Sequence, residues 1–106
     1  MCELHDSSTL GELLLYEALG FCPEGNAEKL VEDGDNTYGG NLVVNPSGGL
    51  LSLGQTAAAS SLAQCIELVL QLRGSAGRRQ VVDAQLALQH QTGADGTVIA
   101  TLYQRD

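Results

Sequence analysis

The first regular pattern of apolar positions along the chain has the spacing of a helix. Apolar residues recur at intervals of one, three and four, at Leu10, Leu13, Leu14 and Ala18. The segment Thr9-Leu10-Gly11-Glu12 has the form of a capping box, and Gly20 is a natural C-terminal stop. We therefore predict a helix over residues Leu10 to Leu19. One or two further helical turns are predicted over Ala27 to Glu32.

A second and longer helical pattern runs from Ala57 to Leu72. Six largely apolar residues share one side of the predicted helix: Ala58, Leu62, Cys65, Ile66, Val69 and Leu72. The other side mixes small and apolar residues with serine and glutamine, and Glu67 is the one charge before Arg73. A helix that is apolar nearly all round is expected to have neighbours on every side. We therefore predict that the central helix 57–72 is buried, and that a protein partner or a second copy covers what the chain leaves exposed.

Three shorter stretches have the composition of β-strands. Leu42-Val43-Val44 is a short β-prone run, residues Gln85 to His90 alternate, and Thr97 to Tyr103 is rich in β-branched and apolar residues. The connection 91–96 contains two glycines and suits a hairpin with a bulged turn. The first five residues are compatible with a strand or a lead-in. Helices that alternate with strands predict an α/β fold with a mixed sheet and helices on its faces.

Length and charge restrict the classes of protein to which the chain can belong. At 106 residues it is predicted to form one domain, residues 1–106. Its formal net charge of −8 disfavours nucleic acid and anionic membranes, because both need lysine and arginine to neutralise phosphate. The same charge disfavours tight binding of coenzyme A, itself a polyanion, by this chain alone. No apolar run reaches the length of a membrane-spanning helix.

The cysteine content and the two ends of the sequence bear on its compartment. The three cysteines have no metal-type spacing, and their odd number does not suggest a disulfide framework. We therefore predict a reducing, intracellular compartment, with no metal and no cofactor. Neither a secretory signal nor a Ser-Lys-Leu peroxisomal signal is visible.

A glycine-rich stretch, Asn45 to Gly54, precedes the long helical pattern and is a candidate binding site. Glycine lets the backbone turn tightly and approach a ligand, and the first turn of a helix offers unpaired N–H groups. Together these features suit an anion or a developing oxyanion. The motif taken alone favours the alternative, in which the stretch simply connects a strand to a helix.

A series of short motifs extends over nearly the whole chain, in order and without large gaps. They are Glu3-Leu4-His5-Asp6, Tyr16-Glu17-Ala18-Leu19-Gly20, Cys22-Pro23-Glu24-Gly25, Gly34-Asp35-Asn36-Thr37-Tyr38-Gly39-Gly40, Asn45 to Gly54, Leu62-Ala63-Gln64-Cys65, Gln71-Leu72-Arg73-Gly74 and Leu88-Gln89-His90. Through them the chain resembles the C-terminal domain of the thiolase family, most closely the peroxisomal thiolases of the sterol carrier protein X type. The resemblance implies part of a thiolase C-terminal half, an incomplete domain that lacks the half bearing the nucleophilic cysteine.

The resemblance also implies catalytic roles at three motifs, two of which are altered here. Ser7, in His5-Asp6-Ser7-Ser8, stands where the family has an acid/base cysteine, and its higher pKa makes it a poor substitute. Gln55 replaces the histidine of a Gly-His-Pro motif, and an amide cannot accept a proton at a useful pH. His5 and His90 keep the histidines of the first and third motifs. From the residues alone, His5 is equally well half of a solvated pair with Asp6, and His90 a strand-end histidine bonded to backbone.

By the same resemblance the glycine-rich stretch binds substrate, with a coenzyme A thioester as the substrate or ligand, through Asn45, Ser47, Gly48, Gly49 and Gly54. Three hypotheses about function follow. The first is a thiolase-derived domain of lipid metabolism without independent catalysis, a truncated isoform or interaction module. The second is a subunit of a split acyl-CoA thiolase or retro-aldolase that a partner chain completes. The third is an acyl-CoA or lipid binding module. The implied location is the peroxisome, with the cytoplasm as the alternative.

Overall fold

The computed structural model describes residues 1–106, except for the side chain of Ala57. Within this part of the chain lie three strands and four α-helices, in the order β1 (Cys2–Glu3), α1 (Thr9–Ala18), α2 (Ala27–Glu32), α3 (Gly49–Leu53), α4 (Ala57–Leu72), β2 (Leu86–Thr92) and β3 (Val98–Gln104). A 3₁₀ turn over Gly77–Arg79 lies between α4 and β2. Over the described residues, no helix combines the length and the apolar composition that crossing a membrane requires.

The strands form one mixed sheet in the order β1-β2-β3. β1 is parallel to β2, with Cys2 opposite Leu88, and β2 is antiparallel to β3. On the other side of β1, Cys2 N donates to Val43 O at 2.9 Å and Asn45 N donates to Cys2 O at 2.8 Å. β1 is only two residues long, yet it lies inside the sheet because backbone pairs with both of its edges.

Two layers of helices cover opposite faces of the sheet. The cluster under α1 and α2 consists of Cys2, Leu4, Tyr16, Ala27 and Val44. The cluster under α4 consists of Leu68, Leu72 and Ala87. Ala87 packs in the second cluster and its neighbour Leu88 against the first, since successive side chains of a strand point to opposite faces. The prediction of an α/β fold with a mixed sheet and helices on its faces is confirmed.

The predicted helix over Leu10 to Leu19 is α1, but its first turn is capped differently. Ser8, not Thr9, is the N-cap, and its Oγ accepts a hydrogen bond from Gly11 N at 3.0 Å. The carboxylate of Glu12 accepts instead from the hydroxyl of Tyr16. The predicted capping box is therefore wrong, because adjacent hydroxyl residues compete for the position and Ser8 holds it.

The elements before and after the glycine-rich stretch differ from the prediction. The strand predicted at Leu42-Val43-Val44 is reduced to a single bridge between Val44 and Cys2. The stretch then folds into the separate short helix α3, which Gly48 enters with a φ of 109°. The expectation that the stretch leads straight into the long helix is wrong, since Gly54 to Thr56 separate α3 from α4.

Helix α4 occupies the predicted residues, but its most buried side is largely polar. Four polar side chains at helical spacing are buried there: Ser60, Gln64, Glu67 and Gln71. Leu62 and Ile66 face outwards and are 61% and 52% exposed. The prediction of an apolar helix buried all round is therefore wrong. The physical reason is that each buried polar group has a hydrogen-bond partner, Thr56 for Ser60, Leu4 for Gln64, and the connection 74–83 for Glu67 and Gln71, which offsets the cost of burying them.

Candidate functional site

Three of the predicted catalytic positions meet beside the end of β1. The backbone N–H of His5 donates to Nδ1 of His90 at 3.4 Å, because the parallel pairing of β1 with β2 brings these residues together. Nε2 of Gln55, in the segment between α3 and α4, lies 3.3 Å from Nε2 of His5. Both histidines are buried and Gln55 is exposed. We call His5, Gln55 and His90 the histidine cluster; its chemical role stays a prediction.

The two rings of the histidine cluster differ in their surroundings. Burial is the main cause that lowers the pKa of His90, and electrostatic interaction with the neighbouring His5 ring is a smaller one. Within the described part of the chain, Nδ1 of His5 is buried and has no hydrogen-bond partner. Because its pKa is lowered, His90 is neutral at neutral pH, and its Nδ1 can accept the hydrogen bond from His5 N.

Ser7 lies apart from the cluster, at a cleft of about 310 Å³ that His5 also lines. The walls come from α1 and from the end of β2, through Gly11, Leu14, Leu15, Ala18 and Thr92. Ser7 is exposed, and no hydrogen bond joins it to His5 among the side chains that the structure describes. Its hydroxyl has access to the cleft but no contact that would activate it.

The amides of the glycine-rich stretch hold two carboxylates of the chain itself. Asp6 Oδ1 accepts a hydrogen bond from Leu50 N, in the first turn of α3, at 2.7 Å. The carboxylate of Glu3 accepts from Ser47 N at 3.0 Å and from Ser47 Oγ at 2.9 Å. Glu3 is 1% exposed and Asp6 is 3% exposed. Negative charge does collect at these amides, as their geometry favours, but the chain supplies it.

Glu3 is the most deeply buried of the acidic side chains. Burial raises its pKa to about 7, and the two hydrogen bonds from Ser47 act in the opposite direction. The nearby charges of Glu67 and Asp6 add smaller upward contributions. A carboxyl group on the wall of a cavity therefore titrates near neutral pH.

Gly49 is required where Asp6 meets α3. Its φ is 70°, in the left-handed region that favours glycine, and a Cβ built there would overlap the carboxylate of Asp6. The predicted substrate-binding role of Gly48 and Gly49 is not tested by this geometry. What the geometry shows is that glycine lets the carboxylate approach the start of the helix.

Among the other predicted binding residues, one holds the backbone in place and three line a cavity. Asn45 Oδ1 accepts a hydrogen bond from Leu4 N at 2.7 Å, which fixes the chain beyond β1. Ser47, Gly49 and Gly54 line a cavity of about 370 Å³ between α3 and α4. Half of the remaining wall residues are apolar and half are polar or charged: Leu50, Leu53, Ala63, Ile66 and Leu70, with Glu3, Ser60, Gln64, Glu67 and Arg79.

A polar network joins α4 to the sheet. Gln64 Nε2 donates to Leu4 O at 3.0 Å, and Gln89 Nε2 donates to Ser61 O at 2.8 Å. The hydroxyl of Tyr103 donates to Gln89 Oε1 at 2.8 Å. None of these contacts is predicted above, although the helical spacing of polar residues at 60, 64, 67 and 71 was a signal for the one made by Gln64.

A second group of polar contacts fixes the connection after α4. The carboxylate of Glu67 pairs with Arg79 at 3.0 Å, and Gln71 Nε2 donates to Glu67 Oε1 at 3.0 Å. Gln71 also donates to Arg79 O at 2.7 Å and accepts from Val81 N at 2.8 Å. The hydrogen bond and the charge of Glu67 raise the pKa of Arg79, and the bonds of Gln71 hold the chain segment of Arg79 against the helix.

No cysteine lies at the histidine cluster among the residues that the structure describes. Cys2 is fully buried in the core, where burial raises its pKa to about 12. Cys22 packs at the edge of that core, and the Sγ of Cys65 lies 3.6 Å from the hydroxyl oxygen of Tyr103, whose hydrogen is donated to Gln89. A thiol with such a pKa stays protonated at neutral pH and is a poor nucleophile.

The fold and the motif positions together define a domain of the thiolase type. A family model described as thiolase C-terminal domain-like matches residues 1–102. The chain belongs to this family, and the resemblance inferred from its motifs is confirmed.

Three relatives illustrate the similarity. Sterol carrier protein 2 of Bos taurus is 60% identical over 102 residues, which are 96% of this chain and 19% of that protein. Acetyl-CoA acetyltransferase of Methanothermobacter thermautotrophicus is 40% identical over 100 residues, 94% of this chain and 26% of the relative. The solved Ltp2-ChsH2(DUF35) aldolase matches 98% of this chain and 26% of its own, with a TM-score of 0.81 and 29% identity. The chain thus spans about a fifth to a quarter of these proteins.

Proposed function

We propose that the chain is a thiolase-derived domain of acyl-CoA metabolism without independent catalysis, that is, a pseudoenzyme acting as a truncated isoform or interaction module. The contact between Gln55 and His5 carries this proposal. At the position where the resembling thiolases have a histidine that accepts a proton, the chain presents an amide 3.3 Å from the His5 ring. An amide can donate a hydrogen bond to an oxyanion, but it cannot activate a nucleophile.

The positions of the thiols support the same proposal. Cys2, the cysteine nearest to His5 in sequence, is buried and has its pKa raised to about 12. Ser7, at the acid/base position, is an exposed hydroxyl. Covalent acyl transfer needs an activated nucleophile and a group that moves a proton at neutral pH, and these side chains offer neither.

The outer side of α4 supports a role in binding another protein. Leu62 and Ile66 are more than half exposed there, and Leu53 is exposed at the nearby cavity. A patch of this kind on a small chain is typical of a contact surface. In the proposed role a partner chain or a second copy covers the outer side of helix 57–72. The proposed location is the peroxisome, as in the resembling thiolases.

The test of inactivity is an assay of the purified chain with acetoacetyl-CoA and free coenzyme A. We expect turnover no greater than that of a heat-treated sample. Turnover above that control, and lost in a His90→Ala variant of equal thermal stability, would overturn the proposal. The same assay on Gln55→His asks whether the cluster can gain activity; a pseudoenzyme that lacks the nucleophile gains none.

A second candidate function is that of one subunit of a split acyl-CoA thiolase or retro-aldolase. The retained pair His5 and His90, with a buried and unpartnered His5 Nδ1 beside the cleft, favours it. Mixing the chain with a thiolase N-terminal chain that carries the nucleophilic cysteine would then produce turnover that neither chain has alone. A His90→Gln variant of the described chain should remove that turnover without changing complex formation.

The cavity between α3 and α4 favours the third hypothesis only for an uncharged ligand. The cavity of about 370 Å³ has a mostly apolar exposed surface that suits an acyl or lipid chain, but Glu3, Glu67 and Arg79 also line it. Because Arg79 is already paired with Glu67, the wall offers no free cation for the phosphates of coenzyme A, and Glu3 disfavours them. Titration with a fluorescent fatty alcohol, against the matched acyl-CoA, would separate lipid binding from acyl-CoA binding.

A further inference from the structure

Strand β3 has an unusual composition for the edge of a sheet. Its seven residues, Val98–Gln104, contain no charge, no proline and no glycine. Across the chain as the structure describes it, the sheet ends at β3, so one edge of the strand lacks a neighbour. Natural proteins usually protect such edges with lysine, proline or a bulge, because the free backbone groups pair readily with another strand.

The hydrogen bonds to β2 show which backbone groups of β3 are free. Arg105 N donates to Gln85 O at 2.9 Å, and Gly93 N donates to Thr97 O at 2.7 Å. Hydrogen-bonded pairs alternate in an antiparallel ladder, so the odd-numbered residues of β3 bond towards β2. The N–H and C=O groups of the even-numbered residues therefore point away from the sheet: Val98, Ala100, Leu102 and Gln104.

The side chains around this edge are apolar and uncovered. Leu102 is 64% exposed, and Val98 and Leu86 are about half exposed or more. Leu102 and Val98 lie directly opposite Leu88 and Thr92 of β2, and Leu86 is two residues from Leu88. All three side chains are therefore on the same sheet face as Leu88, which packs against the cluster under α1. A strand added to β3 would extend this face and bury the patch.

We propose that β3 pairs antiparallel with β3 of a second copy of this chain, with Ala100 on the two-fold axis, so that the two sheets form one six-stranded sheet. In this register Val98 lies opposite Leu102, and every hydrogen-bonded pair uses the free even-numbered groups. The smallest side chain of the strand lies on the axis, where two copies of the same residue meet. The contact is self-complementary, as a two-fold interface requires.

The charges at the two ends of β3 favour a second copy of this chain as the partner strand. Each chain has a formal charge of −8, but none of it lies in β3. Arg105 follows one end of the strand and Asp95 precedes the other. Antiparallel pairing places Arg105 of each copy opposite Asp95 of the other, so that one pair of opposite charges meets at each end, with the carboxylate of Asp106 one residue beyond. This contact is separate from the outer side of α4.

Amide hydrogen exchange, followed by NMR over a range of protein concentrations, tests the proposal residue by residue. At low concentration the amides of Val98, Ala100, Leu102 and Gln104 should exchange freely, while those of Ile99 and Thr101 are protected by β2. At concentrations where light scattering shows a dimer, the even-numbered amides should become protected as well. A chain that is monomeric at all concentrations, or a dimer in which these four amides still exchange freely, would overturn it.

Matched variants locate the contact. Ala100→Pro removes an outward N–H without touching the bonds to β2, so it should leave the melting temperature of the monomer nearly unchanged and abolish the dimer. Leu102→Lys should act in the same way, whereas Val82→Lys, the same change at an exposed residue outside the sheet, should not. Loss of the dimer in Leu62→Lys but not in Leu102→Lys would place the interface on α4 and refute the proposal.

The end charges give a graded test. Arg105→Glu should raise the dissociation constant of the dimer by roughly fivefold at low salt, and Arg105→Lys should change it little. The difference between the two variants should shrink in high salt because the contact is exposed. An equal effect of both substitutions would contradict the proposed register.

Discussion

The two sides of helix α4 depart from the usual distribution, because polar side chains are buried beside Leu68 and Leu72 on one side while apolar side chains are exposed on the other. The inner side carries Gln64, Glu67 and Gln71, all buried and all hydrogen-bonded to the sheet or to the following connection. The outer side carries Leu62 and Ile66, both largely exposed. The inner contacts are complete within the chain, whereas the outer side offers apolar area that nothing in the described chain covers.

This difference separates what the domain needs in order to fold from what it offers to other molecules. Burial of a polar group is tolerated only where each donor and acceptor finds a partner, so the inner side fixes one packing of the helix. Exposed apolar side chains do not fix a packing. Substitutions on the inner side should therefore affect stability, and those on the outer side should affect binding.

The largest expected effect comes from the inner contact of α3. Gly49→Ala should lower the free energy of unfolding by roughly 3 to 4 kcal/mol, because the new Cβ overlaps Asp6 and the backbone is left-handed. Gly20→Ala is the matched control: its φ is 76° and no heavy atom lies within 4 Å of the added Cβ, so it should cost only about 1 kcal/mol. Urea denaturation of both variants measures the difference, and equal losses would show that Asp6 can move aside.

Glu3 gives the next effect, which depends on pH. Its pKa is about 7 in the folded chain and near 4.5 when exposed, so between these values the folded state holds a proton that the unfolded state has lost. The free energy of unfolding should therefore fall by about 3 kcal/mol as the pH rises through this window. Glu3→Gln should remove that fall, whereas Glu28→Gln, at an exposed carboxylate, should keep it. Urea midpoints at pH 5 and pH 8 that shift equally in both variants would contradict the burial of Glu3.

The comparison of the two sides of α4 can be made directly with two opposite substitutions. Gln71→Leu should cost about 2 kcal/mol, because it leaves Val81 N and Arg79 O without their buried partner. Leu62→Gln should change stability by less than about 0.5 kcal/mol, since its side chain is exposed. Thermal melts of both proteins test this, and the comparison fails if the exposed substitution proves the more costly one.

The smallest effect is expected at His90. Its pKa is lowered in the folded chain, so the unfolded state binds the proton more readily, and stability should fall as the pH drops below the ordinary histidine range. His90→Asn keeps an acceptor for His5 N and should make stability less sensitive to pH on the acidic side. This change in slope is opposite in sign to that of Glu3→Gln. Two variants that shift the slope in the same direction would contradict the assignment.

Much of the fold could be predicted from periodicity. α1, α2, α4 and the β2–β3 hairpin have strong local patterns, and each lies within one or two residues of the prediction. β1 could not be identified with certainty, because two residues are too few for a pattern. Its place in the sheet depends on backbone pairing with residues distant in the sequence.

The candidate site was predicted less completely. The motifs brought together His5, Gln55 and His90, which the structure places in contact, although their roles remain untested. The partners of the glycine-rich stretch were missed because Asp6 and Glu3 lie about 44 residues from Leu50 and Ser47. Local composition shows that amides are available but not which anion they hold. The polar inner side of α4 could have been predicted from the helical spacing of its polar residues. The larger number of apolar residues in the segment led instead to the prediction of an apolar buried helix.

The position of β1 within the sheet has a consequence for the order of folding. Cys2 pairs with Leu88, so β1 acquires this partner only after the helices and loops between them have been synthesised. The helices can form from local contacts, but closing the sheet joins segments far apart in the sequence and incurs a loss of chain entropy. Until β2 arrives, the core side chains Cys2 and Leu4 are open to water. During synthesis, the local contacts of the helices can therefore form before β1 and β2 pair and close the sheet.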